Sequence, residues 1–133
     1  MKSPHLLLLS LLAVSGFAAI HPASAQEEVA KGSKLRKELF DLARPHIEGA
    51  TGCTVLFNGS MKQLGGWAFF VGTIVNKNGG VIQIGPAESG DTAILWVKTD
   101  GEWSVLEAEV GFTDVIYLNW PETHGCPGAL VGN

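Results

Sequence analysis

The first hydrophobic stretch of the chain is continuous rather than periodic. Apolar side chains fill most of residues 6–20, Lys2 precedes them, and the small residues Ala23-Ser24-Ala25 follow. A positive start, an apolar centre and a small-residue end are the three parts of a secretory signal peptide. The stretch is also shorter than the roughly eighteen residues of a membrane-spanning helix, so we expect no stable membrane insertion. We predict a signal peptide over residues 1–25, removed on export, and a single periplasmic or secreted domain over residues 26–133.

The next hydrophobic residues recur at the three- and four-residue spacing of a helix. They form one stripe, which comprises Leu35, Leu39, Leu42, Ala43 and Ile47. Charged residues occupy the other side, among them Arg36, and Ser33 is a residue type that caps helix N-termini. Pro45 lacks a backbone N–H and therefore predicts a kink or an end nearby. The segment predicts one amphipathic helix at the N-terminal end of the domain.

After residue 53 the pattern changes to short runs of β-branched and aromatic residues separated by glycine. These runs are Thr54–Phe57, Trp67–Val75, Val81–Ile84, Ala93–Lys98 and Trp103–Val110. Such runs are typical of strands, and Asp100-Gly101 is typical of a two-residue hairpin turn. The order of elements predicts an α+β fold, in which one N-terminal amphipathic helix packs on a curved antiparallel sheet of about five strands.

The Asp100-Gly101 turn predicts which residues of the last two runs share a face of the sheet. A two-residue loop places Lys98 opposite Trp103 and Trp96 opposite Val105. Side chains alternate between the two faces along each strand. One face of this hairpin is then the more uniformly apolar of the two, and we expect it to form the core. Its residues are Ala93, Leu95, Val97, Leu106, Ala108 and Val110.

The other face of the hairpin mixes aromatic and charged side chains. Four of its residues are Trp96, Trp103, Glu107 and Glu109. Tryptophan anchors many binding surfaces, and carboxylates beside it suit a cationic, partly apolar partner. We therefore expect these four residues to form a partly exposed binding site, although the C-terminal segment, residues 121–133, is an alternative cover for this face. We assign the remaining tryptophans, Trp67 and Trp120, to the core.

Several short motifs are spread over most of the chain after residue 25. They are Leu35-Arg36-Lys37-Glu38-Leu39-Phe40 with Arg44-Pro45, Gly66-Trp67-Ala68-Phe69, the hairpin from Ala93-Ile94-Leu95 to Gly101-Glu102-Trp103-Ser104-Val105, and Gly111-Phe112-Thr113-Asp114-Val115 with Trp120. Together they resemble a family of small exported bacterial proteins of unassigned function. The arrangement also resembles cystatin-like and nuclear-transport-factor-2-like folds, in which a bent sheet grips a helix. The resemblance implies architecture and export but no reaction, because such folds serve binding proteins and enzymes alike.

Charge is unevenly distributed along the chain. The protein has 13 acidic and 9 basic residues, and the leader contributes only Lys2, so the predicted mature part is more negative than the net charge of −4 of the whole chain. From residue 81 onward Lys98 alone opposes a series of acids. These acids are Glu88, Asp91, Asp100, Glu102, Glu107, Glu109, Asp114 and Glu122. An acidic surface repels nucleic-acid phosphates and attracts cationic proteins, although it also serves solubility. We expect no nucleic-acid binding, and a cationic periplasmic protein as the partner.

Two cysteines, Cys53 and Cys126, follow the leader. In an oxidising compartment a pair without metal-ligand spacing predicts a disulfide bond. Closing a loop of this length stabilises a fold by about 4 kcal/mol in the chain-entropy model. The alternative is a nucleophile built from Cys126 and His124, which adjacency in sequence alone does not favour. We predict the Cys53–Cys126 bridge.

Other chemistry-bearing residues give weaker signals. Glu107 and Glu109 are two residues apart on a predicted strand, which suits either a carboxylate pair or a solvated strand end. His46 and His124, the two histidines after the leader, lack zinc-binding spacing. No nucleotide-binding or nucleophile motif is present in the sequence. We therefore assign no catalytic residue, metal ligand or cofactor.

Two functions are compatible with these features. We favour a small exported periplasmic binding or inhibitor-type module without catalytic activity, suited to a cationic partner such as a cell-wall hydrolase. The alternative is a small enzyme of the nuclear-transport-factor-2-like type that uses Asp114 or Glu107 in a pocket between helix and sheet. A deep polar pocket containing one of these carboxylates favours the enzyme, whereas a filled core counts against it. The sequence leaves the oligomeric state unassigned.

Overall fold

The computed structural model describes residues 26–132, which form a five-stranded antiparallel sheet with helices. In chain order the elements are β1 (Glu27–Glu28), α1 (Lys34–Thr51), β2 (Leu56–Leu64), β3 (Trp67–Val75), β4 (Asp91–Thr99), β5 (Glu102–Val110) and a short helix α2 (Trp120–His124). Single 3-10 turns at Ile116–Asn119 and Gly128–Val131 flank α2. The strands pair in sequential order from β1 to β5. The α+β prediction is confirmed, and the predicted signal peptide lies outside the described residues.

The ends of α1 follow from its capping residues. Ser33 caps the start, because its Oγ accepts a hydrogen bond from the backbone N–H of Arg36 at 3.2 Å. The helix continues past Pro45 to Thr51, further than the sequence predicted, and Pro45 lies on its exposed side. It ends at Gly52, whose φ of 79° is the left-handed conformation that glycine adopts easily.

The buried side of α1 packs on the sheet. Its fully buried residues are Leu39, Ala43 and Ile47, as the spacing predicts. Leu42 lies at the margin of the stripe and is 38% exposed. Arg36 differs from the prediction of a solvent-facing position, because it is buried and its guanidinium donates to the backbone carbonyl oxygens of Val29 and Gly59. These bonds connect the start of α1 to the edge of the sheet.

The strands differ from the sequence-based expectation at two places. β2 extends to Leu64 rather than ending at Phe57, because polar side chains interrupt its apolar run while its backbone stays paired with β3. Residues 81–84 form no strand, and make only isolated bridges between β3 and Val81 and between Ile84 and Ser89. The fifth strand is instead the two-residue β1, which pairs with β2.

The hairpin of β4 and β5 contains a β-bulge that the expected register did not include. Lys98 pairs with Trp103 and Trp96 pairs with Val105, as predicted, but Leu106 has no partner and Glu107 pairs with Leu95. An extra residue reverses the faces of all residues beyond it, because side chains alternate along a strand. The prediction that Trp96, Trp103, Glu107 and Glu109 share one face is therefore wrong. The tryptophans lie on the side of α1 and the glutamates on the opposite side.

The side of the sheet that carries α1, here called the helix face, is a closed apolar core. Phe40 of the helix packs edge-to-face on Phe70 of β3 and lies beside Trp96 of β4. Trp96 is fully buried, and its indole N–H donates a hydrogen bond to the backbone carbonyl of Leu39 at 2.9 Å. A buried indole with a satisfied N–H belongs to the core. The assignment of Trp96 to a partly exposed surface is thus also corrected.

The opposite side, here called the outer face, is covered in part by the segment after β5. Phe69 and Leu95 of the sheet pack in one cluster with Trp120 and Leu130 of this segment. Trp120 is buried, as predicted, whereas Trp67 is only half-buried. The C-terminal segment therefore covers the outer face rather than the face of Trp96. Within the described part of the chain, no helix combines the length and hydrophobicity needed to cross a membrane.

Candidate functional site

The structure separates the four residues that the sequence grouped into one site. Trp96 is inaccessible, and Trp103 is half-buried at the margin of the helix face, where the Lys98 ammonium lies 5.6 Å from its ring centre. Glu107 and Glu109 occupy successive outer-face positions of β5, and both are half-buried. The sheet lies between the tryptophans and the glutamates, so no single partner surface includes all four.

Glu107 is held by a residue of α2. Its carboxylate oxygen lies 2.9 Å from Nε2 of His124, and both side chains are partly buried. Trp120 positions His124, because the two rings meet edge-to-face with centres 6.4 Å apart. Gly125, with a φ of 81°, ends α2 directly after His124. The short helix therefore fixes one imidazole against one carboxylate of the sheet.

Glu109 lies beside Glu107 in an unfavourable electrostatic environment. Burial raises the pKa of Glu109 above its usual value, and a hydrogen bond between the two carboxyl groups and the charge of Glu107 raise it further. Among the described residues, no lysine or arginine forms an ion pair with either glutamate. A cation arriving at this position would therefore meet two adjacent carboxyl groups, of which only Glu107 has a partner, the imidazole of His124.

Asp91 extends this pair of glutamates across the sheet. Asp91 lies at the start of β4 on the same face as Ala93, which pairs with Glu109. Residues diagonally opposite on neighbouring strands lie about 7–8 Å apart. Asp91, Glu109 and Glu107 thus form a line of carboxylates on the outer face, here called the acidic row, with His124 at its far end.

A cavity of about 300 Å³ lies at the Asp91 end of the acidic row. Its lining includes Val71, Thr73, Asp91, Phe112, Val115 and Tyr117. We call it the outer cavity. The strands β3 and β4 supply one side, and the loop between β5 and α2 supplies the other.

Local backbone geometry positions that loop. The backbone N–H of Gly111 donates to the carbonyl of Asp91 at 2.8 Å, which keeps the chain against β4 as it leaves β5. Gly111 has a φ of 72°, and a Cβ there would lie 2.6 Å from the carbonyl oxygen of Ile84. Only glycine fits this turn, after which the chain passes over the outer face. Phe112 and Tyr117 then pack edge-to-face with ring centres 6.1 Å apart.

The cysteines do not form the predicted bridge in the structure. Both are free: Cys53 lies in the exposed loop after α1, whereas Cys126 is buried in the outer-face cluster. Pairing them would require at least one of the two segments to move. Burial also raises the pKa of the Cys126 thiol, which disfavours the thiolate that a nucleophile with His124 would need.

In the described part of the chain, the space between α1 and the sheet contains no polar pocket of the kind that the enzyme alternative requires. Apolar side chains of the helix-face core fill it in the described part of the chain. Glu107 points to the other side of the sheet, and Asp114 is exposed in the loop after β5. The described residues also contain no group of three or more histidine, cysteine, aspartate or glutamate side chains arranged to hold a metal ion.

Comparisons of the chain with protein-family models, with curated proteins and with solved structures found no match. The outer face must therefore be interpreted from its own geometry.

Proposed function

We propose that this protein is a small exported binding module, without catalytic activity of its own, which binds a cationic protein on its outer face. The observation that carries the proposal is the acidic row. Its two glutamates are half-buried beside each other, and the raised pKa of Glu109 reflects burial and this proximity. A positive side chain placed against them would replace repulsion by attraction.

Exposed apolar residues in the segment between β5 and α2 support a protein partner rather than a simple ion. Val115 is 51% exposed and lines the outer cavity together with Asp91, and Leu118, in the same segment, is 40% exposed. Protein interfaces combine an apolar centre with a charged rim. This combination suits a partner that presents arginine or lysine side chains next to apolar ones.

We also propose that the protein is exported and that it is related to a family of small exported bacterial proteins. The apolar leader with its small-residue end supports export to the periplasm or the exterior. Membership of a family of small exported bacterial proteins, and a likeness to cystatin-like or nuclear-transport-factor-2-like folds, rest on the sequence motifs alone. A cationic cell-wall hydrolase is one partner of the expected charge.

Titration of the purified protein with a short peptide of arginine and leucine tests this function by calorimetry. We expect binding that weakens as salt is added, because the attraction is electrostatic. Replacing both glutamates, Glu107→Gln with Glu109→Gln, should weaken it at least about tenfold.

A matched control removes two acids elsewhere. Glu27→Gln with Glu38→Gln changes the net charge equally, but these residues are exposed on β1 and α1. The control should keep most of the affinity. Equal losses in the two double variants would show non-specific attraction to an acidic protein and would overturn the proposal, as would an absence of binding.

A further inference from the structure

We infer that the outer cavity binds the side chain of an arginine from the cationic partner. The inference rests on the proposed function and adds the residue type that the partner inserts. It depends on three features of the cavity: its volume, its aromatic walls and the one charged residue among the described residues that line it.

The cavity has a size and a lining that suit one long side chain. Its volume of about 300 Å³ lies at the lower end for ligand pockets. Val71 contributes apolar surface from β3, and the exposed Val115 contributes additional apolar surface from the opposite side. These surfaces suit the three methylenes of an arginine stem.

Packing fixes the aromatic walls. The Tyr117 ring packs on Phe112, and its centre also lies 5.3 Å from that of the buried Phe69. Tyr117 thus contacts a ring from the sheet as well as one from its own loop. Aromatic faces held in place attract a cation through the ring quadrupole, and a planar guanidinium stacks on them.

Asp91 supplies the charge. Among the described residues that line the cavity, Asp91 is the only one with a charged side chain. Its backbone is held on both sides, because its N–H donates to Oγ of Ser89 at 2.9 Å and its carbonyl accepts from Gly111. Among the described residues its carboxylate has no ion-pair partner. Two carboxylate oxygens match the paired N–H groups of a guanidinium, which gives arginine an advantage over lysine.

The probe for this inference is a single blocked amino acid, acetyl-arginine amide, titrated into the purified protein. Methyl NMR signals of Thr73 and Val115 report on opposite sides of the cavity. We expect both to shift and to saturate. The neutral isostere Nα-acetyl-citrulline amide should cause no saturable shift. Nα-acetyl-lysine amide, whose side-chain ammonium is free, should bind at least about threefold more weakly than the arginine probe.

Two conservative variants test the named side chains. Asp91→Asn keeps the shape but removes the charge, and should weaken binding of the arginine probe by about threefold or more. Tyr117→Leu should weaken it by about threefold by removing the ring. The control is Asp100→Asn in the β4–β5 turn, where the φ of 52° is one that asparagine tolerates. This control should leave the affinity unchanged.

The outcomes separate this inference from the proposed function. Absent or unsaturable shifts, equal binding of the citrulline or lysine probe, or equal affinities in the Asp91→Asn and Asp100→Asn variants would overturn the arginine assignment. If the arginine–leucine peptide still binds through Glu107 and Glu109 in that case, the proposed function stands and only the cavity assignment fails. If the probe occupies the cavity but the peptide binds without dependence on these glutamates, the proposed function fails instead.

Discussion

The helix face and the outer face of the sheet are covered by elements of very different length. α1 has 18 residues, which span about 27 Å, close to the roughly 30 Å of a nine-residue strand. The outer face is covered by α2, which has 5 residues, and by single 3-10 turns. A long amphipathic helix covers its side of the sheet along its length and leaves only the margin half-buried, whereas short elements leave part of a face open. The open part contains the acidic row and the outer cavity.

Replacing a tryptophan on the helix face should have the largest effect on stability. Trp96→Ala removes a fully buried ring and its hydrogen bond to Leu39, and should lower the free energy of unfolding by about 3–5 kcal/mol. Trp103→Ala removes a half-buried ring and should cost about 1 kcal/mol. Urea denaturation followed by circular dichroism measures both. Equal losses would mean that the two rings are equally buried, which would contradict a buried Trp96 and a half-buried Trp103 at the margin of the helix face.

Replacing a leucine of the C-terminal segment tests whether this segment packs tightly on the outer face as a second hydrophobic core. Leu130→Ala should lower the free energy of unfolding by about 2–4 kcal/mol, because Leu130 is fully buried. Leu118→Ala is the matched control at an exposed position, and should change it by less than about 0.5 kcal/mol. If the same urea experiment gives similar small changes for both, the segment is only loosely attached to the sheet.

Replacing each cysteine in turn tests whether Cys53 and Cys126 form a disulfide bond. Cys126→Ala should lower the free energy of unfolding by about 1 kcal/mol, since a buried side chain is shortened. Cys53→Ala should have almost no effect, because Cys53 is exposed. A disulfide would instead make the two variants lose the same amount, up to about 4 kcal/mol, when compared under non-reducing conditions.

The smallest expected effect concerns the pH dependence of the acidic row. The usual pKa of a glutamate is taken as 4.5, and that of Glu109 in the folded protein is higher. As the pH rises above 4.5, the unfolded chain releases the proton before the folded protein does, so stability falls until the pH exceeds the folded pKa. Glu109→Gln should remove this fall and stabilise the protein at pH 7 by less than about 1 kcal/mol. Urea midpoints at pH 4 and pH 7 measure it, and a destabilised variant at pH 7 would contradict the assignment.

The sequence predicts the helix face better than the outer face, for a physical reason. α1 and the β4–β5 turn are specified by local signals: helical spacing, the Ser33 cap and the Asp100-Gly101 pair. The bulge at Leu106 left one short signal, because the alternation of apolar and polar residues changes phase at the adjacent apolar residues Val105 and Leu106. The register expected from the turn alone did not include this change. One extra residue was enough to move Glu107 to the other face.

The outer cavity could not be predicted because it depends on contacts between distant segments. Asp91 appeared in the sequence only as one of several acids, Phe112 only within one of the short motifs, and Tyr117 gave no signal. Gly111 was a usable signal, since a glycine directly after a strand can mark a turn that no other residue fits. The direction of that turn, over the outer face, is set by tertiary packing.

Mapping of the binding face by NMR decides whether the outer face is the binding surface. In backbone amide spectra of the purified protein, titrated with the peptide of arginine and leucine, we expect the largest shifts at Asp91, Glu107, Glu109 and the loop that includes Tyr117. Amides of α1 should move little, because the sheet separates them from the outer face. Largest shifts along α1 or at Trp103 would contradict the claim that the outer face is the binding surface.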